Sequence, residues 1–160
     1  MVDDHRQEMM QQFHIGPEDL EANKSGVLTR RQARRLERSG LKSLIGALLI
    51  GLFLAAVLAF VAEKPLVPVQ WILSGLLFLA ALAIGGTDFW RALLAASDGK
   101  VECLAGTVRT RLVSQAGWYV RVEGRSFRLP MQHWRVRDGG QYRVYIAPKA
   151  RKIVAMDPDE

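Results

Sequence analysis

The sequence predicts a membrane protein of mixed class, with a two-helix transmembrane hairpin followed by a small all-β barrel of the OB or SH3-like kind. Two long uncharged blocks and a later change to strict alternation of apolar and polar residues support this fold class. The chain has 160 residues and a formal net charge of +6, which resembles a basic soluble protein on average. The uncharged blocks nevertheless exclude a single water-soluble domain.

The two uncharged blocks cover residues 44–62 and 66–86, which are 19 and 21 residues long. A helix that crosses a bilayer needs roughly 20 apolar residues, so each block has the required length. Both blocks are apolar all round, which argues against core helices of a soluble domain. The first block begins after about 40 polar residues, so we expect an uncleaved anchor and not a cleaved signal peptide.

The connection between the blocks is Glu63-Lys64-Pro65, which is short enough to force an antiparallel pair. Both ends of the chain then lie on the same side of the membrane. Residues 24–42 carry seven Lys and Arg, whereas the connection carries only Lys64. Positive residues favour the inner side, so we expect a multi-pass protein of the cell (inner) membrane with both termini cytoplasmic.

Small residues recur along one side of each predicted span, and such residues let helix backbones approach closely in lipid. The candidate packing residues are Ala47, Gly51, Ala55, Ala59, Ser74, Ala81 and Gly85. They predict packing within the hairpin, and self-association into a homo-oligomer is the alternative. Neither span contains an ionisable side chain, which disfavours transport. An oligomeric channel component therefore remains only a minor hypothesis.

The region before the spans, residues 1–42, is predicted to hold a polar tail and a short helix-turn-helix. The first dozen residues have no apolar period, which is typical of a disordered or fraying tail. Pro17 is suited to the first turn of a short helix. Thr29 and Gln32 fit a capping box that opens a second helix to about Ser39.

The turn between these helices resembles part of an EF-hand loop, with oxygen-bearing residues at Glu21, Asn23 and Ser25. The closing position of that pattern requires a bidentate Glu, and Gln32 is neutral. We therefore expect a tight helix–helix turn without calcium.

A run of basic residues ends directly before the first span. Its members are predicted to contact lipid head groups, which are negatively charged on the cytoplasmic side. They are Arg30, Arg31, Arg34, Arg35, Arg38 and Lys42. A role in setting the membrane topology is sufficient to explain this run of basic residues. Nucleic-acid binding is the competing hypothesis for an arginine-rich helix.

After the second span, residues 89–96 are predicted to continue as a helix that ends at Ser97-Asp98-Gly99. Period-two alternation then predicts strands over the cytoplasmic domain, residues 97–160. The predicted strands are residues 100–105, 107–113, 118–122, 126–129, 141–147 and 152–156. Short strands with glycine-rich turns and no helical pattern between them indicate a small barrel.

Three motifs in this domain carry a family resemblance: Gly106-Thr107-Val108, Val122-Glu123-Gly124, and Asp138-Gly139-Gly140 followed by Arg143-Val144-Tyr145. Their order, after the membrane spans, resembles the bacterial NfeD-like membrane proteins. The resemblance covers about 50 residues and implies a small OB-like barrel. It also implies a module that binds partners for membrane scaffold proteins.

Residues 87–160 carry 13 Lys and Arg against 8 Asp and Glu, and many of the arginines occupy outward positions of the predicted strands. The candidate partner surface is Arg109, Arg111, Arg121, Arg143 and Tyr145. Three interpretations stay open: a solvated or lipid-facing surface, a protein-binding surface, and a nucleic-acid surface. We consider nucleic acid the least favoured of the three.

The sequence offers no pattern that predicts catalysis, a metal site or a cofactor. Cys103 is alone and lies in a strand pattern, and His5, His14 and His133 lack metal-ligand spacing. The leading hypothesis is therefore a non-enzymatic scaffold, adaptor or regulatory subunit that binds the bilayer and another membrane protein. A membrane-tethered nucleic-acid binder is the main alternative.

Overall fold

A computed structural model describes residues 2–61, 68–113, 117–129 and 136–159, excluding the side chains of residues 2–4, 59, 61 and 68–70. The elements in these residues are α1 (Val2–Phe13), α2 (Pro17–Lys24), α3 (Arg30–Val61), α4 (Pro68–Asp98), β1 (Glu102–Thr107), β2 (Arg109–Val113), β3 (Gly117–Val122), β4 (Arg125–Arg128), β5 (Gln141–Ala147) and β6 (Lys152–Pro158). They form two compact units. One is Arg34–Leu94, and the other joins Met1–Ala33 to Ala95–Glu160. We call the second unit the β domain.

The unit Arg34–Leu94 contains most of the two long helices. Each helix is long and apolar enough to cross a membrane, over Arg30–Leu58 and Trp71–Asp98, and only 6% of the most apolar stretch of each is buried. Large apolar side chains such as Phe53 and Ile84 are 67% and 68% exposed. The prediction of two long apolar helices is confirmed. The predicted link at residues 63–65 lies outside the described residues.

α3 starts at Arg30 and continues through the basic run into the apolar block without interruption. The predicted helix end near Ser39 is therefore wrong. Gly40 does not end the helix; a Cβ added there would lie only 2.8 Å from the Ala92 Cβ and 3.1 Å from the Phe89 Cα. The glycine allows α3 and α4 to approach closely, as small residues do between membrane helices.

The polar N-terminal segment forms α1, so the prediction of a disordered tail is also wrong. Met9 and Phe13 are buried, and α1 packs against β6. Arg6 reinforces this contact by donating two hydrogen bonds to the buried Asp157, from Nε to Oδ1 at 2.7 Å and from Nη2 to Oδ2 at 3.1 Å. This long-range ion pair has no signature in a local sequence pattern.

The predicted turn and cap around α2 and the start of α3 are confirmed. The Thr29 backbone N–H donates to Gln32 Oε1 at 3.2 Å, and the Gln32 N–H donates to Thr29 Oγ1 at 3.3 Å. These reciprocal bonds are a capping box. The Thr29 hydroxyl also donates to the buried carboxylate of Asp19, which ties the residue that caps α3 to α2.

The six strands form two antiparallel sheets of three strands each, in the orders β1-β5-β6 and β2-β3-β4. We call these the first sheet and the second sheet. The chain passes from one to the other at the buried Val108. The core contains Val120, Val122 and Val144, and β1 lies against β3 while β4 lies against β6. Strand positions agree with the prediction, whereas an OB or SH3-like closure stays a prediction.

Backbone hydrogen bonds tie the segment before α3 to the segment after α4. Leu28 N–H donates to Gly99 O at 2.7 Å, and Val101 N–H donates to Gly26 O at 2.9 Å. These bonds explain why Met1–Ala33 belongs to the β domain. The compact units therefore differ from the predicted division at residues 42 and 43.

Candidate functional site

The outward face of the second sheet presents a compact group of arginines. In an antiparallel sheet, directly opposite residues share a face and alternate residues along a strand return to it. The registers Arg109↔Arg121↔Ser126 and Arg111↔Tyr119↔Arg128 therefore form two neighbouring rows on one face. We call the four arginines and Tyr119 the arginine face.

The opposite face of the same sheet supplies the core through Val120, Val122 and Phe127. This burial orients the arginine face toward solvent. Arg109, Arg111, Arg121 and Arg128 are all exposed, and Tyr119 is half-buried at the centre of one row. The rows lie about 7 Å apart along the strands and extend about 10 Å across them.

This outward face consists of the two rows together with Val113 and Gly117, and none of its eight residues is acidic. The Asp138 carboxylate lies at the edge of β2, where its Oδ1 accepts a hydrogen bond from the Thr110 N–H at 2.6 Å. Within the described part of the chain, none of the four arginines forms an ion pair within 4.0 Å. Arg109 and Arg121 are directly opposite, an arrangement that destabilises a sheet by about 0.2–1 kcal/mol. An external anion would relieve that repulsion.

Two other arginines on the strands of the β domain are already paired. Arg125 Nη1 lies 2.9 Å from Glu102 Oε1, and Arg143 Nη2 lies 2.7 Å from Asp159 Oδ1. The hydrogen bond to Asp159 and its charge raise the pKa of Arg143 above its ordinary value. The predicted partner surface is thus divided: Arg109, Arg111 and Arg121 share one face, whereas Arg143 lies on the first sheet.

Tyr145 does not belong to any exposed surface, which corrects the prediction. Its side chain is 1% exposed. β6 is buried along Ile153–Asp157 because α1 packs against it, and the ladder between β5 and β6 shifts register at Tyr145/Ile146. Simple alternation assumes one solvated face and an unbroken ladder, so it assigned Tyr145 outward.

Burial raises the pKa of Tyr145 to about 12, and negative charge at Cys103 and Asp157 acts in the same direction. Burial also raises the pKa of the neighbouring Cys103 thiol. A raised thiol pKa lowers the thiolate fraction at neutral pH, so Cys103 is a poor nucleophile. The geometry around this cysteine gives no support to a covalent role.

Tyr119 and Arg128 belong to the arginine face but are not among the residues of the predicted partner surface. The signal that would have included them is the two-residue turn at Glu123-Gly124, where both φ angles are positive, at 47° and 78°. Such a turn fixes the register of the hairpin. From Val122↔Arg125, the pairing Tyr119↔Arg128 follows by counting along the strands.

The predicted lipid-contact residues lie along the first turns of α3. Arg30, Arg31, Arg34, Arg38 and Lys42 are exposed, whereas Arg35 is half-buried and has an interaction partner. Their contact with head groups stays a prediction.

The structure brings together part of the predicted packing set within the hairpin. A Cβ added at Gly85 would lie 2.7 Å from Ala47 Cβ, and one added at Gly51 would lie 3.6 Å from Ala81 Cβ. Ala55 and Ser74 are half-buried, and the side chain of Ala59 lies outside the described residues. Ser43, four residues before Ala47 on α3, donates to Asp88 Oδ2 at 3.3 Å.

No group of three or more His, Cys, Asp or Glu side chains that could hold a metal ion occurs among the described residues. His133 lies outside them. At the EF-hand-like turn, Glu21 pairs with Lys24 at 2.8 Å and the Ser25 hydroxyl donates to Ala22 O at 2.7 Å. The side-chain oxygen atoms of Glu21 and Ser25 are therefore used in contacts within the turn.

Comparison with protein-family models, with curated proteins and with solved structures finds no match for this chain. The site must therefore be interpreted from its own chemistry. Arginine presents a planar fork of donors that fits phosphate and carboxylate oxygens, so the arginine face is suited to bind an anionic surface or partner.

Proposed function

We propose that this chain is an integral membrane adaptor, in which the α3–α4 hairpin spans the cell (inner) membrane and presents the β domain in the cytoplasm. The observation that carries the proposal is the exposure of the two helices: only 6% of each apolar stretch is buried. Exposed apolar surface of this extent requires lipid or another membrane protein as its surroundings.

The order in which the chain builds the β domain supports a topology with both termini on the same side of the membrane. It is built from residues that precede the hairpin and residues that follow it. A domain of this kind can assemble only if both segments lie on the same side of the membrane. The basic residues at the start of α3 favour the cytoplasmic side for that domain.

The adaptor role is supported by the arginine face and by the resemblance to NfeD-like proteins. A partly closed barrel of the OB or SH3-like kind would hold the second sheet with its arginines outward. The partner that we propose for the hairpin is another membrane protein, or a second copy, packed against the exposed apolar side chains of α3 and α4. Small residues along these helices would assist such contacts.

The test of membrane insertion uses the full chain expressed in a bacterial host. We expect it to stay in the membrane pellet after extraction with alkaline carbonate. We also expect reporters fused at either end to be active only in the cytoplasm. Release into the carbonate supernatant, or a periplasmic signal from either end, would contradict the proposal.

The test of the adaptor role is purification of the full chain in mild detergent after cross-linking in the membrane. A specific membrane-protein partner should copurify, and its recovery should fall when exposed residues of α3 are changed. Recovery of the chain alone, as a monomer, would argue against the adaptor role but not against insertion.

A membrane-tethered nucleic-acid binder is the second candidate, favoured by the position of Tyr119 among the arginines, where a base could stack. Binding of single-stranded nucleic acid by the full chain in detergent should then weaken steeply with salt. The absence of binding at low salt removes this candidate.

A further inference from the structure

We infer that the arginine face binds the anionic phospholipid head groups of the bilayer that the hairpin spans, which holds the β domain on the membrane surface. This inference rests on the proposed membrane insertion. It assigns a ligand class to Arg109, Arg111, Arg121 and Arg128, whose outward face contains no carboxylate.

The first support is covalent proximity. α4 ends at Asp98, and β2 begins at Arg109, only 11 residues later. The part of α4 beyond the predicted span, residues 87–98, rises about 18 Å at most. The β domain is therefore tethered within reach of the head groups, and docking costs it less translational freedom than it would cost an untethered protein.

The second support is the form of the face. The sheet presents its arginines as two short parallel rows on strands, with no enclosing wall from the described residues of those strands. An open face of this kind suits an extended array of phosphates better than a single small anion, which is normally held in a concave site. Guanidinium groups bind phosphate oxygens bidentately.

The third support is the residue at the centre. Tyr119 is half-buried in the row between Arg111 and Arg128. Tyrosine combines an apolar ring with a polar hydroxyl, and it is enriched where proteins meet the membrane–water interface. A soluble acidic protein would lose translational and rotational freedom on binding to this face. Exposed charge pairs contribute too little binding free energy to offset that loss.

The experiment uses the full chain in vesicles, with a fluorophore on the arginine face. Ser126 is exposed and lies in the same row as Arg109 and Arg121, so Ser126→Cys in a Cys103→Ala background carries the reporter. The native Cys103, which is exposed on the first sheet, carries the control fluorophore. Nitroxide groups on lipid head groups then quench whichever fluorophore lies at the bilayer surface.

We expect strong quenching at Ser126 in vesicles rich in anionic lipid and little in zwitterionic vesicles. Each Arg→Gln change on the face should lower the docking equilibrium about fivefold, so Arg109→Gln with Arg121→Gln should lower it about 25-fold. Arg125→Gln and Arg143→Gln are the matched controls, because each removes one charge that is already paired. They should leave the quenching unchanged.

Absence of quenching at Ser126 in an inserted chain would overturn the inference, and so would three other results. The first is quenching that is equal in anionic and zwitterionic vesicles, and the second is quenching that the paired and unpaired arginine variants change equally. The third is binding of oligoglutamate or single-stranded nucleic acid in zwitterionic vesicles that depends on Arg109 and Arg121, without quenching in anionic ones. A circular dichroism spectrum that matches that of the parent chain confirms that each variant is folded.

Failure of the proposed function has a different signature. A chain that alkaline carbonate releases from the vesicles is not an integral membrane protein, and the premise then fails. A chain that stays inserted but shows no quenching at Ser126 leaves the adaptor role intact and removes the lipid contact alone.

Discussion

The two sheets of the β domain use arginine in opposite ways. On the first sheet Arg143 is paired with Asp159, and the neighbouring Asp157 receives two hydrogen bonds from Arg6. On the second sheet four arginines share one face with no acid among them. The net charge of the region hides this difference, because a paired and an unpaired arginine count equally.

This contrast separates structural charge from charge that is free to bind. The first sheet is covered by α1 and keeps its charges within the fold. The second sheet keeps like charges directly opposite one another, which costs stability unless a ligand supplies the counter-charge. Breaking the buried ion pair at the first sheet should therefore reduce stability, whereas removing one of the two facing arginines of the second sheet should increase it.

The largest expected effect is at Arg6. Arg6→Met leaves the carboxylate of Asp157 buried without its partner, and breaking a buried pair costs about 3–5 kcal/mol. The Arg6 side chain is 40% exposed, so solvent screening reduces our expectation to about 2–3 kcal/mol. Urea unfolding of the full chain in detergent measures it.

The control for Arg6 is Arg143→Met, which breaks an exposed pair and should leave the unfolding midpoint almost unchanged. A second variant, Arg6→Met with Asp157→Asn, should recover part of the loss because the buried charge is gone. If Arg6→Met is as stable as the parent chain, the ion pair between α1 and β6 does not stabilise the fold.

The next effect is a loss of stability at alkaline pH caused by Tyr145. Its pKa is about 12 in the fold against 10.0 ordinarily, so the unfolded chain releases this proton first. The contribution of the protonated Tyr145 to the free energy of unfolding is fully present below about pH 10. It falls as pH rises toward 12, and the loss is about 2 kcal/mol at about pH 11.5. Unfolding measured from pH 9 to 12 tests this.

Tyr145→Phe should remove that alkaline loss, while the exposed-face change Tyr119→Phe should retain it. In an absorbance titration of tyrosinate, the last ionisation step should disappear only in Tyr145→Phe. A last step that persists in this variant would assign the late proton to another tyrosine.

The same contrast between packed and open positions can be tested in the hairpin. Gly85→Leu forces a side chain against Ala47 and Leu44, whereas a Cβ added at Gly86 has no atom within 4 Å. Overpacking costs about 1–3 kcal/mol. Cysteines at positions 43 and 88, where Ser43 Oγ and Asp88 Oδ2 are 3.3 Å apart, report helix contact by disulfide formation.

Gly85→Leu should slow that disulfide at least about fivefold, and Gly86→Leu should not. Equal rates in the two variants would show that Gly85 does not lie in the contact between α3 and α4.

The smallest effect should have the opposite sign. Arg121→Gln removes the like-charge contact with Arg109, so we expect a gain of about 0.2–1 kcal/mol in low salt. Arg125→Gln removes the pair with Glu102 and should instead lose up to about 1 kcal/mol. Thermal unfolding at low and high salt compares the two, and the difference should shrink as salt screens it. A loss of stability in both variants would place a counter-charge on the arginine face.

Local pattern was sufficient for most of the elements. Alternation and glycine turns located the six strands to within two residues, and the capping box at Thr29 and Gln32 located the start of α3. These signals depend on neighbours within a few positions of the chain. The two apolar helices followed from length and composition alone.

Contacts between distant residues could not be predicted in this way. The burial of Tyr145 depends on α1 reaching β6, a contact between segments more than 130 residues apart. The division into two sheets depends on strand pairing across the chain, which alternation does not specify. The arginine face could be predicted in part. The two-residue turn at Glu123-Gly124 sets the register of β3 with β4, but no local pattern sets the register of β2 with β3.

The backbone bonds between residues 26–28 and 99–101, and the contact of α1 with β6, impose an order on biosynthesis. The first 33 residues leave the ribosome early, yet their binding surface is completed only when β6 at Lys152–Pro158 has emerged. At ordinary translation rates of about 5–20 residues per second that interval is on the order of ten seconds. Throughout it, α1 lacks the β6 surface against which it packs, so a nascent chain stalled before its last strand should be a preferred target of chaperones and proteases.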